Sequence, residues 1–172
     1  MARREKLADG RTGDWQHLTH TRAWSSARRI AQGRVDRSLS AERRVVILSE
    51  NDIEHAHLAL GCMLAGVPFV PTSPPYSLVS HDYDKLRHVL ATVTPGLVFA
   101  ADAARYGNAI NAAVSPGIEL VLTTGDIAGR AATRFADLAA TPVTAAVDAA
   151  MQATVPETIV KFLFTSGSTQ RP

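Results

Sequence analysis

Hydrophobic and polar positions along the chain fall into short apolar runs that alternate with longer amphipathic stretches. The runs are rich in β-branched and aromatic residues, which is typical of buried strands, whereas the longer stretches repeat their apolar positions at helical spacing. The sequence predicts strands at residues 44–48, 67–71, 97–101, 118–122 and 159–164, and helices at residues 21–35, 53–65 and 103–113. Because strands and helices alternate, we expect an α/β fold with a mostly parallel sheet and helices on both faces.

Several residues mark the ends of the predicted helices. Thr19 or Thr21 can cap the first helix, since a threonine oxygen accepts a hydrogen bond from a free N–H group of the first turn. Asn51 and Glu54 have capping-box spacing at the start of the second helix, and Gly66 is placed to end it. The second helix is apolar on most sides, so we expect it to be well buried.

Two regions lack a clear periodic pattern. Residues 1–14 are polar and contain glycine-centred turns, which indicates a flexible lead-in. Residues 123–153 are rich in Ala, Thr and Asp, and only residues 135–138 have the pattern of a short helix. We therefore expect one folded unit over residues 15–172, with residues 123–153 as its least organised part.

Composition and charge limit the classes of function. A chain of 172 residues with 46% hydrophobic content can bury a sizeable core. Its formal net charge is only +2, so no broad electrostatic attraction to nucleic acid is expected. The early basic residues are mixed with Asp and Glu at helix-surface spacing, which favours a solvated face over a binding patch. They are Arg3, Arg4, Lys6, Arg11, Arg28, Arg29, Arg34, Arg37, Arg43 and Arg44.

The single cysteine indicates a reducing compartment. Cys62 cannot form a disulfide within the chain, and its apolar neighbours favour a buried structural thiol over a nucleophile. No apolar run reaches the length of a membrane span, and no apolar stretch follows the basic N-terminus as in a signal peptide. We therefore expect a cytoplasmic protein without a membrane span.

The histidines do not have the spacing of a metal site. His55 and His57 are two residues apart, so on a helix they point in different directions, unlike the zinc-binding pair four residues apart. His81 and His88 have no Cys or acidic partner at matching spacing. Surface and capping roles are favoured, and no metal ligand is predicted.

A hydroxyl-rich loop follows the last predicted strand. It consists of Thr165, Ser166, Gly167, Ser168 and Thr169. One glycine lets backbone N–H groups approach an anion closely, and the hydroxyls on both sides can donate to phosphate oxygens. Neither the Walker A pattern nor the dinucleotide-binding glycine pattern occurs in the chain. The loop indicates phosphate binding; the alternative is a Ser/Thr-rich turn without a ligand.

This loop resembles the phosphate-binding loop of the adenylate-forming superfamily, which includes acyl-CoA synthetases. The family pattern is T-S-G-[ST]-T-G-x-P-K-G, and this chain has T-S-G-S-T-Q-R-P up to Pro172. Gln170 departs from the pattern, because it replaces a glycine. A second stretch is similar to acyl-CoA synthetases over residues 46–74, with A-G-V-P at residues 65–68. Residues 74–100 are similar to the branch that activates feruloyl-type aromatic acids.

The resemblance covers roughly residues 15–172 and implies an incomplete N-terminal portion of the large domain of an adenylate-forming ligase. In that family a carboxylic acid attacks the α-phosphate of ATP with Mg²⁺ present, and a thiol such as CoA takes the acyl group from the resulting acyl-adenylate. The resemblance assigns the cofactor-binding residues to Thr165, Ser166, Gly167, Ser168 and Thr169. It assigns no catalytic residue, so we expect the 172-residue chain to be inactive alone.

Two alternatives belong to other classes of function. One is a non-catalytic α/β remnant or interaction module that binds no nucleotide, which the substitution at Gln170 favours. The other is an unrelated phosphate-binding or small-ligand module whose loop matches the family by chance. Protection of the loop by ATP would distinguish a nucleotide-binding module from a remnant.

Overall fold

The structure is a computed structural model that describes residues 2–6 and 11–165. Its strands are β1 (Ala2–Lys6), β2 (Thr12–His17), β3 (Arg44–Leu48), β4 (Phe69–Pro71), β5 (Pro95–Asp102), β6 (Glu119–Thr124) and β7 (Thr133–Arg134). Its helices are α1 (His20–Val35), α2 (Ile53–Leu64), α3 (Pro75–Leu78), α4 (Asp84–Val93), α5 (Ala103–Ala113), α6 (Phe135–Leu138) and α7 (Ala145–Gln152).

The main sheet has five strands in the order β4-β3-β5-β6-β7, and every neighbouring pair is parallel. β3 lies between β4 and β5, with Val46 in register with Val70 on one side and with Val98 on the other. The parallel sheet predicted from the alternation of strands and helices is therefore confirmed. β3 has the bounds that its β-branched run predicts.

Alternate residues of the central strands pack into two separate hydrophobic cores. Val46 and Leu48 belong to a core that also contains residues of α3, α4 and α5, whereas Val45 and Ile47 belong to a core with residues of α1, α2 and α6. Successive side chains of a strand point to opposite faces of the sheet, so the two cores lie on its two faces. We call these the α4–α5 face and the α1–α2 face. Helices on both faces were expected from the sequence, and this is confirmed.

The helix ends agree with the sequence in two places and differ in one. The Thr19 side chain accepts a hydrogen bond from the N–H of Arg22, which makes Thr19 the N-cap of α1. Gly66, just beyond α2, has a φ of 63°, a left-handed conformation that glycine adopts without strain. The capping box expected at Asn51 is wrong, because Asp52 caps α2 by accepting from the N–H of His55 at 2.6 Å.

Two regions are more regular than the sequence indicates. Within residues 1–14, where a lead-in loop was expected, β1 pairs with β2 as an antiparallel hairpin, and Arg4 Nε donates to the carbonyl oxygen of Gly13. Within residues 123–153, α6 forms with the bounds predicted for a short helix, whereas β7 and α7 were not predicted. This second region is tied to α1, since Gln32 Oε1 accepts from both the N–H and the hydroxyl of Thr144.

Basic side chains also hold distant segments together. The Arg28 guanidinium forms an ion pair with Asp148 of α7, with Nη2 and Oδ2 3.0 Å apart. Arg37 Nε lies 2.8 Å from Oε1 of Glu119, at the start of β6. The Arg28 and Arg37 side chains are only 23% and 24% exposed, so these two positions are not on the solvated face that the sequence predicts.

Arg34, near the end of α1, is a stronger exception to the predicted solvated face. Its side chain is fully buried, and Nη2 donates to the carbonyl oxygen of Leu58 at 3.4 Å. Nε and Nη1 have no hydrogen-bond partner among the described residues. Burial lowers the pKa of Arg34, because a low-dielectric environment disfavours the charged form.

The α2 helix is less buried than its composition predicts. Leu58, Gly61 and Cys62 are buried, but Leu60 is 38% exposed and Met63 is 40% exposed. Leu60 and Met63 line an apolar groove with the first turns of α1, where Trp24 is 49% exposed. The α1–α2 face thus combines a buried charge with apolar side chains that remain in contact with solvent.

Candidate functional site

The carboxyl edge of the sheet contains a crevice where the direction of the chain reverses. After β3 the chain crosses to β4 on one side, and it returns later to β5 on the other. In open α/β sheets this switch point is where ligands bind, because the loops after the two strands separate there. A cavity of about 670 Å³ lies at this position, lined by residues after β3, by residues at the ends of β5 and β6 and the start of α5, and by two residues of the β1–β2 pair. They include Glu50, Asn51, Asp102, Tyr106, Thr123 and Arg4.

The loop after β3 contains a serine next to a histidine. Ser49 Oγ lies 3.1 Å from Nδ1 of His55, and it donates to the carbonyl oxygen of Glu50 at 3.0 Å. A nucleophilic serine needs its proton directed at a base that a third group orients. Here the hydroxyl is already bonded to the backbone and Ser49 is buried. The pair therefore fixes the turn before α2 and is not arranged as a nucleophile and base.

Charged side chains face each other across the mouth of the crevice. Arg105 Nη1 lies 3.0 Å from Oε2 of Glu50, and both side chains are largely exposed. This hydrogen bond raises the pKa of Arg105. Asp102 caps α5 by accepting from the N–H of Ala104 at 2.8 Å. An aspartate directly after a strand and before a helical stretch is a signal that the sequence contains at this position but that was not used to predict a site.

Buried hydroxyls without a hydrogen-bond partner gather at the same edge. The hydroxyls of Thr72, Ser77, Tyr106 and Thr123 have no partner among the described residues. Thr72 and Ser77 follow β4, Tyr106 lies in the second turn of α5, and Thr123 is near the end of β6. Burial raises the pKa of Tyr106, which keeps its phenol protonated and able to donate. The carboxyl edge therefore contains hydroxyls whose hydrogen-bonding capacity the described residues do not use.

The segment before the hydroxyl loop follows β4 in parallel. The Phe69 N–H donates to the carbonyl oxygen of Val160, and the Phe162 N–H donates to that of Phe69, both at 3.1 Å. These bonds form a single parallel bridge between Phe69 and Lys161. Because the pairing is parallel, Thr165 lies in the direction of the carboxyl edge of the sheet.

The buried strand predicted at residues 159–164 does not form as a regular strand. Only the one bridge forms, and Ile159 and Leu163 are 56% and 66% exposed. The reason lies in β4, whose next residue facing this segment is Pro71. Proline has no N–H, so the ladder cannot continue beyond Phe69.

Two aromatic contacts hold this segment just before the loop. The Arg44 guanidinium carbon lies 4.7 Å from the centre of the Phe162 ring. Phe164 meets the His88 ring edge-on at 6.3 Å between ring centres. Both phenylalanines pack against the core of the α4–α5 face. The sequence predicts neither contact, because the partners come from separate elements.

Of the five residues predicted to bind phosphate, the structure describes one. Thr165 is exposed, with its hydroxyl-bearing side chain accessible at the end of the described segment. Ser166, Gly167, Ser168 and Thr169 lie outside the described residues. The prediction of a phosphate-binding loop therefore remains a prediction, to which the structure adds the direction from which the chain enters it.

Within residues 2–6 and 11–165, no group of three His, Cys, Asp or Glu side chains is arranged to hold a metal ion. Over the same residues, none of the helices has the length and apolar character that crossing a membrane requires. Thr165 and the loop carry hydroxyl and backbone donors, which suit phosphate oxygens more than a bare cation.

Comparison with known proteins gives one family and a set of solved structures. The sequence model of the family described as AMP-binding enzyme matches residues 2–172. No curated protein matches the chain significantly. The match to the family extends from the first described strand to the last residue of the chain.

Solved structures similar to this chain include proteins described as ligases. A protein described as a long-chain-fatty-acid CoA ligase from Rhodopseudomonas palustris is 26% identical with a TM-score of 0.60, over 79% of this chain and 32% of that one. ATP-bound MatB from Rhodopseudomonas palustris is 23% identical with a TM-score of 0.67, over 96% of this chain and 29% of that one.

A fatty acyl-adenylate ligase from L. pneumophila, solved with acyl adenylate and pyrophosphate, is 20% identical with a TM-score of 0.59, over 92% of this chain and 25% of that one. The chain thus spans between a quarter and a third of the length of these three solved chains. The two likenesses below 25% identity support the fold alone.

Proposed function

The chain belongs to the family of AMP-binding enzymes, and from this premise we propose that it is part of an ATP-dependent ligase that activates a carboxylic acid as an acyl-adenylate. The observation that carries the proposal is the loop T-S-G-S-T at residues 165–169, placed directly after a segment that runs parallel to β4 toward the carboxyl edge. Ligands of parallel α/β sheets bind at that edge.

The proposed role of the loop is to hold the β- and γ-phosphates of ATP. When the acid attacks the α-phosphate, negative charge moves onto the departing pyrophosphate, and donors fixed around it lower the barrier electrostatically. Thr165, Ser166, Ser168 and Thr169 would supply hydroxyl donors, and Gly167 would let backbone N–H groups approach. Mg²⁺, when bound, would neutralise part of the phosphate charge.

The substrate and co-substrate of the whole protein follow from the family. We propose CoA as the thiol acceptor and an aromatic, feruloyl-type acid as the substrate, on the similarity of residues 74–100 to that branch. The hydroxyl of Ser77, which has no partner among the described residues, lies in this stretch and supports a polar ligand nearby. A cytoplasmic location fits these co-substrates.

Binding of ATP to the 172-residue chain tests the proposal most directly. Isothermal titration with ATP and Mg²⁺ should show saturable binding, and Ser168→Ala should weaken it by about tenfold, the effect of losing one hydrogen bond to a charged group. Ser115→Ala is the matched control, because Ser115 is exposed before β6, at the opposite edge of the sheet. It should bind as the unchanged chain does.

A substitution at Gln170 provides a second test of ATP binding by the loop. If this position requires a left-handed φ, Gln170→Gly should tighten ATP binding, because the strain of a side chain there is about 1–2 kcal/mol. Absence of binding in the original chain together with binding in Gln170→Gly would favour a remnant that lost its nucleotide site. Absence of binding in both would contradict the proposed loop function.

Catalysis is a separate question from binding. We expect no acid-dependent exchange of pyrophosphate into ATP by the 172-residue chain alone, because the resemblance places no catalytic residue within it. Exchange above background, with benzoate- or cinnamate-type acids, would show that this expectation is wrong.

A further inference from the structure

Residues 160–164, here called the entry segment, lead the chain into the hydroxyl loop, and the main sheet holds them by a single bridge. The Phe69 N–H donates to the carbonyl oxygen of Val160, and the Phe162 N–H donates to that of Phe69. The ladder stops there because Pro71 has no N–H. Groups that bind a ligand must be held to within about 0.5 Å, so other contacts have to fix the entry segment.

The Phe162 ring makes such a contact, because it lies against the guanidinium of Arg44. The guanidinium carbon is 4.7 Å from the ring centre, the shortest cation–ring distance in the described part of the chain. The negative face of the ring attracts the cation, most strongly where water is excluded. Both residues are partly buried, and Phe162 packs against the core of the α4–α5 face. We therefore expect this contact to be stronger than an exposed one.

The position of Arg44 is itself fixed by the end of α4. Arg44 is the first residue of β3, in register with Pro95 of β5. Its Nη1 donates to the carbonyl oxygen of Val93, the last residue of α4, at 3.0 Å. The last carbonyl groups of a helix have no partner within the helix and carry partial negative charge, so they attract a cation. Arg44 thus connects β3, the end of α4 and the Phe162 ring.

A second arginine binds the end of the next helix in the same way. Arg130 Nη1 donates to the carbonyl oxygen of Val114, the C-cap of α5, at 2.9 Å. Arg130 is partly buried, as Arg44 is. Among the described residues, no aromatic ring is recorded over its guanidinium. The two arginines therefore differ in the contact with the entry segment, which Arg44 alone of the two makes.

We propose that Arg44 is a positioning residue for the hydroxyl loop and acts through Phe162. The inference rests on the proposed function, in which the loop holds the phosphates of ATP. Phe162 precedes Thr165 by three residues, so a shift of Phe162 also shifts the start of the loop. By holding the ring against β3 and the end of α4, Arg44 fixes the approach to the loop before ATP binds. A site that is ordered in advance binds more tightly, because less freedom is lost on binding.

Titration of the 172-residue chain with ATP and Mg²⁺ tests the role of Arg44. Arg44→Met keeps an apolar stem and removes the charge that faces the ring, so ATP binding should weaken by about five- to tenfold. Arg44→Lys keeps a cation that can lie over the ring and should restore most of the affinity. Arg130→Met is the matched control, because it removes the same kind of bond to a helix end. It should bind ATP as the unchanged chain does.

A double-mutant cycle with Phe162 distinguishes positioning from a separate effect of Arg44. Phe162→Leu keeps an apolar side chain and removes the ring, so it should weaken ATP binding about as much as Arg44→Met does. If Arg44 acts through Phe162, the double variant should bind about as weakly as either single variant. Fully additive losses would mean that Arg44 acts independently of the ring and would overturn the proposal.

Amide hydrogen exchange follows the entry segment without ATP. The Phe162 N–H is bonded to the carbonyl oxygen of Phe69, so its exchange rate measures how often the segment leaves β4. Arg44→Met should raise this rate by about fivefold or more and leave that of Val98, in the central strand β5, unchanged. Arg130→Met should change neither rate.

The two measurements separate failure of the inference from failure of the proposed function. An unchanged Phe162 exchange rate in Arg44→Met would overturn the inference, as would an equal rise at Val98, which indicates a general loss of stability. Faster Phe162 exchange with unchanged ATP affinity would also overturn it, because the segment would then not position the loop. If the unchanged chain does not bind ATP, the proposed function fails, and the exchange rates still decide whether Arg44 fixes the entry segment.

Discussion

The two faces of the main sheet are built from the same strands but differ in how well their side chains are covered and paired. On the α4–α5 face, Leu86, Val89 and Ile110 are fully buried against the sheet, and the polar atoms without a partner among the described residues include the Tyr106 phenol and Arg44 Nε. The α1–α2 face buries Ile30 and Leu58 equally well, yet it also encloses the unpaired charge of Arg34. A strand determines which residues point to each face, whereas the helices determine how well they are covered.

On the α1–α2 face, exposed apolar side chains and a buried polar one occur on the same pair of helices. Arg34 is buried near the end of α1, whereas Trp24, near the start of the same helix, is 49% exposed. α1 packs closely against α2 at Gly61, since a side chain there would come within 2.5 Å of Ile30. The two helices leave a groove between them at Leu60 and Met63.

Leucine truncation on each face gives the largest expected effects. Leu86→Ala on the α4–α5 face and Leu58→Ala on the α1–α2 face remove side chains that are both fully buried. We expect losses of about 4 kcal/mol for Leu86→Ala and about 2–3 kcal/mol for Leu58→Ala, because the less well-packed face collapses more easily around the cavity. Denaturant unfolding of both variants measures the difference. Equal losses would remove the distinction between the faces.

Replacement of the buried charge should raise stability. Arg34→Met keeps an unbranched apolar stem and removes the donor groups Nε and Nη1, which have no partner among the described residues, so we expect the free energy of unfolding to rise by about 1–4 kcal/mol. Arg29→Met, at an exposed position of the same helix, is the control and should change it by less than about 0.5 kcal/mol. A loss of stability in Arg34→Met would mean that the guanidinium has partners beyond Leu58.

The capping aspartates provide a matched pair on the two faces. Asp52 caps α2 and Asp102 caps α5, each by accepting a backbone hydrogen bond. We expect Asp52→Ala to cost about 1–2 kcal/mol and Asp102→Ala about 0.5–1 kcal/mol, because the more buried cap has less access to replacement water. Thermal unfolding of the two variants would show the order. The reverse order would mean that solvent access does not decide the strength of these caps.

The smallest expected effect is a pH dependence from His57 of α2. Burial lowers the pKa of His57 below its usual 6.5, and Nε2 has no partner among the described residues. The unfolded chain therefore takes up a proton at a higher pH than the folded one, so stability falls as the pH is lowered through about 6.5. His57→Gln should lose this part of the pH dependence. An unchanged dependence in the variant would assign it to other groups.

Local signals in the sequence were sufficient for much of the fold. The β-branched run at residues 44–48 and the helical pattern at residues 103–113 correspond to β3 and α5 with the same bounds. Such elements are determined by their own residues and by burial on the sheet. The hydroxyl loop was equally visible, but its role remains a prediction, because the structure describes only Thr165 of its five residues.

Other features depend on partners that the sequence does not identify. Residues 159–164 have the composition of a strand, but Pro71 of the neighbouring strand stops the ladder. Arg34 follows the spacing of a solvated helix face and is nevertheless enclosed by α2. Neither outcome can be predicted before it is known which elements are neighbours.

Cys62 is a built-in probe for local opening of the structure, because its thiol is buried in the folded chain. The thiol is fully buried in the core of the α1–α2 face, and burial raises its pKa to about 11. A thiol reagent can react only when this core opens, so the rate of labelling measures how often it does. The chain has no other cysteine, which makes the signal unambiguous without any mutation. Chemical labelling thus gives a timescale for transient opening of the α1–α2 face.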